Sequence, residues 1–189
     1  MDCPEGGNVE RKEFVTTEEQ RIEEFRQITK GIFTDKQIEK LIDMGYFKAP
    51  ASLSHHGTME GDLYQHSKMI YMQLEEYTQK LYLSWKDGRS PIVIGFLHDL
   101  CKADDYIWED GKYVRNKNCA MTGHGEKSAI MALQLFPELT DEEVMCIRYH
   151  MGAYEGQEKW KTLGNAIKSY PNILWVHHAD MITSQIWKV

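Results

Sequence analysis

The chain has 189 residues, of which 42% are hydrophobic and 27% are charged, as is usual for a globular protein. This length favours one domain with a core large enough to need no disulfide bonds. The net charge of −7 argues against an extended nucleic-acid surface, which normally carries an excess of Lys and Arg.

The N-terminal part is predicted to contain two short helices that precede the main core. Residues 1–15 are polar and contain glycine, so we expect a flexible terminus. Residues 16–46 show helical spacing of apolar side chains, and Thr17 is placed to cap the first helix. The second helix is expected to begin at Thr34. One domain is therefore predicted over 16–189, with its core at 50–187.

The core is predicted to consist of helices. A long helix is expected from about Asp62 to Leu83, and a nearly all-apolar helix opens at Pro91. Residues 103–122 are polar and are predicted to form a loop or a short hairpin that turns at Asp110-Gly111. No segment shows the strong alternation of a β-strand, so the predicted fold class is all-α. Further helices are expected to begin at Gly123, Thr140 and Pro171, with 152–170 as a connection.

The most informative segment is 91–102, Pro-Ile-Val-Ile-Gly-Phe-Leu-His-Asp-Leu-Cys-Lys. Burying His98 and Asp99 among apolar side chains is costly unless something compensates them, and a metal ion does so because both are metal ligands. Polar side chains of the same kinds recur on apolar helix faces at intervals of 26 to 32 residues, which lets a helix leave and the chain return. They are His66, His124, His150 and Asp180.

Helical bundles build metal sites from side chains on facing helices in this way. Four imidazoles and two carboxylates exceed the needs of one tetrahedral ion. One divalent ion per chain, or two bridged by a carboxylate, are therefore both open at this point. Nitrogen and oxygen ligands without thiolate favour Fe or Mn, with Zn, Mg, Ni and Co as other options.

The order H…HD…H…H…D, centred on His-Asp-Leu-Cys-Lys, resembles the HD-domain superfamily of metal-dependent phosphohydrolases over roughly 50–187. The resemblance implies a helical bundle with a metal site in its core, here with extra N-terminal helices. Matched to the family pattern, the four core ligands are His66, His98, Asp99 and Asp180. The extra pair of the dinuclear members corresponds to His124 and His150.

The resemblance implies a phosphatase or phosphodiesterase that attacks a small phosphorylated compound, in our expectation a nucleotide, with a metal-activated water. Asp99 is expected to bridge or orient the metals, and Lys102 to act in catalysis and bind a phosphate oxygen. In the loop before His66, His55 and His56 resemble a His-His run of some family members. For this pair, a place in the substrate pocket is weighed against a plain surface loop.

Two other functions stay open. A small branch of the same superfamily uses the same four histidines and two aspartates in mixed-valence di-iron oxygenases. A non-catalytic regulatory module is the third option, although degenerate modules usually lose ligands and this chain keeps all six. The oligomeric state is open as well.

The cysteines and the N-terminus bear on the compartment. The four cysteines are far apart and form no C-x-x-C pair, which favours free thiols in a reducing environment. The N-terminus has neither the basic nor the apolar part of a signal peptide, and the longest apolar run is too short to cross a membrane. We therefore expect a cytoplasmic protein without membrane contact.

Overall fold

Helices form most of the protein. The computed structural model describes residues 16–54, 57–121 and 123–189. No helix in these ranges has the length and apolar character that crossing a bilayer requires. The elements are α1 (Glu18–Ile28), α2 (Asp35–Asp43), α3 (Asp62–Leu81), α4 (Ser90–Leu97), α5 (Lys102–Asp105), β1 (Tyr106–Glu109), β2 (Lys112–Arg115), α6 (His124–Leu135), α7 (Asp141–Tyr149), α8 (Trp160–Ser169) and α9 (Asn172–Met181), with 3-10 turns at Gly152–Tyr154 and Gln157–Lys159 and a π-helical turn at Ile182–Trp187.

Three helices begin at the threonine caps that the sequence predicts. Thr17, Thr34 and Thr140 each accept a hydrogen bond from the backbone N–H of the third helical residue. The side chain of that third residue, a Gln or Glu, in turn accepts from the backbone N–H of the threonine. These capping boxes satisfy backbone groups that the helix itself leaves unpaired.

The mainly helical fold class is confirmed, with one antiparallel hairpin among the described residues. Of the loop and the hairpin left open for 103–122, the structure contains the hairpin, β1 paired with β2. Asp110 and Gly111 form its turn, and both have positive φ angles, +50° and +79°. Two-residue turns with this backbone match the twist of antiparallel strands and favour Asp-Gly.

Two predictions about local structure are wrong. His98 and His150 lie one residue beyond the helices expected to carry them, at the C-cap positions of α4, which ends at Leu97, and of α7, which ends at Tyr149. The apolar pattern of α4 runs on through the following turn without a Gly or Pro, so the sequence does not mark the break. Residues 152–170 also contain α8 rather than only a connection. Leu163, Ala166 and Ile167 pack on the second buried cluster at helical spacing, but Gly164 interrupts the segment and no side chain caps its start.

Helices α3 and α4 lie between two clusters of buried side chains. The first cluster includes Phe25, Tyr64 and Phe96 and joins α1 to α3 and α4. The second includes Ile70 and Ile173 and joins α3 to α9. Because α3 and α4 contribute to both clusters, residues at their ends are held at the centre of the molecule.

The close approach of α3 and α4 depends on Gly95. A Cβ atom at this position would lie 2.6 Å from Cα of Tyr71, closer than such atoms can approach. Glycine therefore allows the two backbones to meet, three residues before His98. This contact sets the separation between His98 and the α3 side chain His66.

Candidate metal centre

The structure brings together all six side chains that the sequence indicates as metal ligands. They come from five places in the chain, and their polar atoms point to one centre. The rings of His66, His98 and His150 are fully buried, and Asp99 is 2% exposed. The set consists of His66 on α3, His98 and Asp99 in the turn after α4, His124 at the start of α6, His150 directly after α7, and Asp180 on α9.

One oxygen of Asp99 faces the buried side of the centre. Oδ2 lies 3.6 Å from Nε2 of His66 and 3.4 Å from Nε2 of His98. Asp180 closes this group, with its Oδ1 3.3 Å from Nε2 of His66. His66, His98 and Asp180 thus offer ligand atoms within 4.8 Å of one another. We call Asp99 Oδ2 and these three side chains the inner half.

The other oxygen of Asp99 faces a second pair of histidines. Oδ1 lies 2.5 Å from Nε2 of His124 and 3.3 Å from Nε2 of His150. The side chain of His124 is 29% exposed, unlike the other three rings. We call Asp99 Oδ1, His124 and His150 the outer half. Asp99 is the side chain that belongs to both halves.

Backbone carbonyls orient three of the four rings. Nδ1 of His66 lies 2.8 Å from the carbonyl of Val189. Nδ1 of His98 and of His150 lie 2.9 and 2.7 Å from carbonyls three residues earlier in the chain. A carbonyl only accepts hydrogen bonds, so Nδ1 carries a hydrogen in each of these three rings, and Nε2 is the nitrogen that faces the centre. This is the usual orientation of metal-ligating histidines.

The inward nitrogen atoms fit a cation. Nε2 of His98 and Nε2 of His66 are 3.4 Å apart, and burial lowers the pKa of His98, which keeps that ring neutral near pH 7. Nε2 of His150 is buried and makes no hydrogen bond to any described residue. Imidazole nitrogens and carboxylate oxygens gathered at one buried point are costly without a compensating charge, and a metal ion removes that cost. The donor set therefore fits one or two divalent ions.

The two carboxylates carry the negative charge that such ions require. Burial alone would raise the pKa of Asp99, but Lys102 and the neighbouring imidazoles hold it well below its ordinary range. Burial likewise opposes ionisation of Asp180, and the hydrogen bond with His66 more than offsets it, so that its pKa is also lowered. Both side chains are thus anionic near neutral pH.

His124 has a different partner from the other rings. Its Nδ1 lies 3.1 Å from Sγ of Cys101, a fully buried thiol. Sulfur is a weaker acceptor than a carbonyl oxygen, so the orientation of this ring is held less firmly. Asp99, Cys101 and His124 also offer ligand atoms within 4.8 Å of one another. Sequence reasoning did not assign Cys101 to the centre, because only its position in the turn after α4 places it beside His124.

Lys102 contacts Asp99 directly. Its Nζ lies 2.5 Å from Oδ2, and the attraction of Asp99 raises the pKa of this lysine even though burial acts in the opposite direction. Lys102 also lines a cavity of about 260 Å³ beside the centre, together with Asp99, His124 and Asp180. Its expected contact with a phosphate oxygen stays a prediction.

We call the cavity lined by Lys102 the metal cavity. Its remaining walls come from segments that carry no recognisable sequence motif. Met151, Tyr154 and Met181 supply apolar and aromatic surface, and Ser184 and Gln185 supply polar groups. His55 and His56, predicted as possible pocket residues, lie outside the residues that the structure describes.

A second group of polar side chains lies under the hairpin. Lys127 is 2% exposed, and its Nζ lies 2.6 Å from a carboxylate oxygen of Asp104 and 2.6 Å from one of Asp105. Sγ of Cys119 lies 3.3 Å from the same Nζ. These four side chains join α5 and the segment after β2 to α6, and the ammonium group pairs with both carboxylates and offsets one of their two charges.

No family model matches the sequence, and no curated protein or solved structure matches it either. The functional argument for this chain therefore rests on its own residues and their geometry.

Proposed function

We propose that this chain is a member of the HD-domain superfamily and acts as a metal-dependent phosphohydrolase on a small phosphorylated compound, most suitably a nucleotide. One observation carries the proposal: the two oxygens of Asp99 each face a separate pair of inward-directed imidazoles. A carboxylate in this position is suited to bridge two ions. The order of the six ligands along the chain agrees with the family pattern.

The protein would hold two ions in separate halves. His66, His98, Asp180 and Asp99 Oδ2 provide the ligands of one, and His124, His150 and Asp99 Oδ1 those of the other. Nitrogen and oxygen ligands of this kind favour Fe or Mn. When bound, such ions supply a water molecule of lowered pKa and neutralise charge on phosphoryl oxygens.

The chain's own residues account for substrate binding and orientation. Lys102 lines the metal cavity and carries a positive charge beside Asp99, so a phosphate that enters the cavity meets a fixed cation. Tyr154 and the two methionines of the cavity wall offer apolar surface to the organic part of the substrate. The cavity volume of about 260 Å³ suits a small compound rather than a folded macromolecule.

The proposal is tested by metal analysis together with a panel of phosphomonoesters and phosphodiesters. We expect the wild-type protein, loaded with Mn or anaerobically with Fe, to retain up to two ions per chain and to release phosphate or cleave a diester. Asp99→Asn removes a carboxylate shared by both halves. It should lower metal affinity and turnover by at least about 100-fold, the upper range for changes next to a metal ligand.

Asp110→Asn is the matched control, because Asp110 lies in the exposed hairpin turn at a positive φ that Asn accepts readily. It should keep both metal content and turnover. Inactivity of the fully loaded wild-type protein towards the whole panel would contradict the proposal. Oxygen consumption by the iron-loaded protein without phosphate release would instead favour the oxygenase.

A further inference from the structure

A second cavity adjoins the metal cavity. It has a volume of about 360 Å³ and lies between the hairpin and the start of α6. Tyr106 and His124 line both cavities, so these two side chains form a common wall. His124 is also the exposed ligand of the outer half. We call this space, lined in addition by Arg115, Lys117 and Lys127, the hairpin cavity.

The hairpin cavity has cations that are not paired with carboxylates. Among the described residues, Arg115 and Lys117 have no acidic group within 4.0 Å, whereas Lys127 is fully engaged with Asp104 and Asp105. Three cations therefore face two carboxylates around this space, in a chain whose net charge is −7. Positive charge concentrated beside a candidate phosphate site is suited to a second anionic group.

The guanidinium group has a defined position. Arg115 lies opposite Tyr106 in the hairpin register, and its Cζ stands 6.0 Å from the centre of the Tyr106 ring. Residues directly opposite in an antiparallel pair project to the same face of the sheet, so Tyr106 holds Arg115 on the side of the shared wall. A planar guanidinium binds phosphate through two parallel hydrogen bonds.

Contacts at both ends hold the hairpin in place. The Tyr113 hydroxyl donates to the carbonyl of Lys48, 2.8 Å away, and the Asn116 amide donates to the carbonyl of Asp104, 2.9 Å away. The buried ammonium of Lys127 fixes Asp104 and Asp105, which directly precede β1. The walls of the cavity are thus formed before a ligand arrives, which lowers the entropic cost of binding.

We infer that the hairpin cavity binds a second phosphate of the same substrate whose reacting phosphate lies at the metal centre. Arg115 supplies the main contact and Lys117 adds charge. The inference rests on the proposed function and narrows its substrate class to compounds with two phosphate groups. These are either a nucleoside bisphosphate or a short phosphodiester-linked oligonucleotide, and a simple monophosphate binds less well.

Calorimetric titration of the manganese-loaded protein tests this inference. The probes are AMP, adenosine 3′,5′-bisphosphate and the dinucleotide pApA. We expect at least one of the two-phosphate probes to bind roughly tenfold more tightly than AMP, equivalent to about 1.4 kcal/mol. The probe that gains shows whether the second phosphate is terminal or diester-linked. The gain should shrink as salt rises, because both cations are exposed.

Arg115→Ala should remove most of the gain and leave AMP binding unchanged. Lys112→Ala is the matched control, since Lys112 is an exposed cation of the same strand that does not line the cavity. Equal binding of all three probes by the wild-type protein overturns the inference, and so does an equal loss in the two variants. Metal-dependent AMP binding without any gain overturns this inference alone. Absence of binding by every probe counts against the proposed function as well.

Discussion

The two halves of the candidate metal centre differ in how firmly their side chains are held. In the inner half, the rings of His66 and His98 are fully buried and are oriented by carbonyl groups, and apart from the shared Asp99 only Asp180 lines the metal cavity. In the outer half, His150 is oriented in the same way, but His124 is partly exposed and depends on the thiol of Cys101. We expect the inner half to bind an ion tightly, and the outer half to bind more weakly.

The difference also separates the roles of the two halves. Under the proposed function, substrate would reach the centre through the metal cavity, which is lined by His124 of the outer half and Asp180 of the inner half but not by His66 or His98. The inner half, with its two fully buried rings, is thus suited to hold an ion permanently. The outer half is suited to contact the substrate, because the ring of His124 has more freedom to change its orientation. Three changes test this comparison, and a fourth tests the ion pairs under the hairpin.

The largest effect is expected from His98→Ala. Loss of this buried side chain should lower the metal affinity of the inner half by more than about 100-fold. This exceeds the loss of affinity that is usual when a residue that only contacts a metal ligand is replaced. His124→Ala should remove only the weaker of two binding events. Metal titration followed by elemental analysis measures both. Equal losses of metal in the two variants would contradict the difference between the halves.

Gly95→Ala should disturb the inner half without touching a ligand. The new Cβ collides with the backbone of Tyr71, so α3 and α4 must separate, and the distance between His66 and His98 must grow. Such overpacking costs about 2 kcal/mol of unfolding free energy. Urea denaturation measures the loss, and metal titration measures the inner affinity. Gly88→Ala is the control, because its Cβ would meet no atom within 4 Å, and an equal loss there would refute this explanation.

Cys101→Ala should weaken only the outer half. His124 loses the partner of its Nδ1, and we expect the second metal affinity to fall about tenfold, the lower end of the range for such partners because a thiol binds weakly. Cys101→Ser keeps a polar partner and should recover part of the affinity. A change in the first, tighter binding event would show that Cys101 supports the inner half instead.

The smallest effect is expected from Lys127→Met, which leaves Asp104 and Asp105 without their partner. Because the carboxylate of Asp104 is 47% exposed, water screens it, and we expect a loss of about 1 kcal/mol at pH 7. Urea denaturation gives the value. Lys112→Met, which replaces an exposed cation of the hairpin, should have almost no effect.

The effect of Lys127→Met should depend on pH. The hydrogen bond from Lys127 lowers the pKa of Asp104 in the folded protein below the unfolded value of about 3.9. This stabilisation is present above that value and is lost as the pH falls through the folded pKa. The difference between wild type and variant should therefore shrink below about pH 4. A difference that stays constant down to pH 3 would exclude this origin.

The sequence predicts which polar side chains meet at one buried centre, for a physical reason. A histidine or aspartate in an apolar segment must be compensated, and this requirement is visible in the sequence alone. The threonine caps and the Asp-Gly turn are likewise local signals. All six side chains meet in the structure, and Asp99 lies between the two sets of imidazoles, while their role as metal ligands stays a prediction.

Features that depend on contacts distant in the chain could not be predicted. The pairing of Cys101 with His124 and the close approach at Gly95 arise only when separate segments meet. The same holds for the hairpin cavity, whose Arg115 and Lys117 resemble ordinary solvated charges in the sequence. Helix α8 does show helical spacing of apolar side chains, but it contains Gly164 and lacks the capping side chain that marks the start of three other helices.

The rings of His98 and His150 each bond to a carbonyl only three residues earlier, those of Gly95 and Ile147. Their orientation is therefore determined within a single helical turn and can form on the microsecond timescale of helix growth. His66 and Asp180 reach their positions only after closure of a loop of more than one hundred residues, which is a slower step. The rings of His98 and His150 can therefore take up their orientation before the tertiary structure is complete. Refolding in a chelator should reach the native state, and metal added afterwards should bind without a slow kinetic phase.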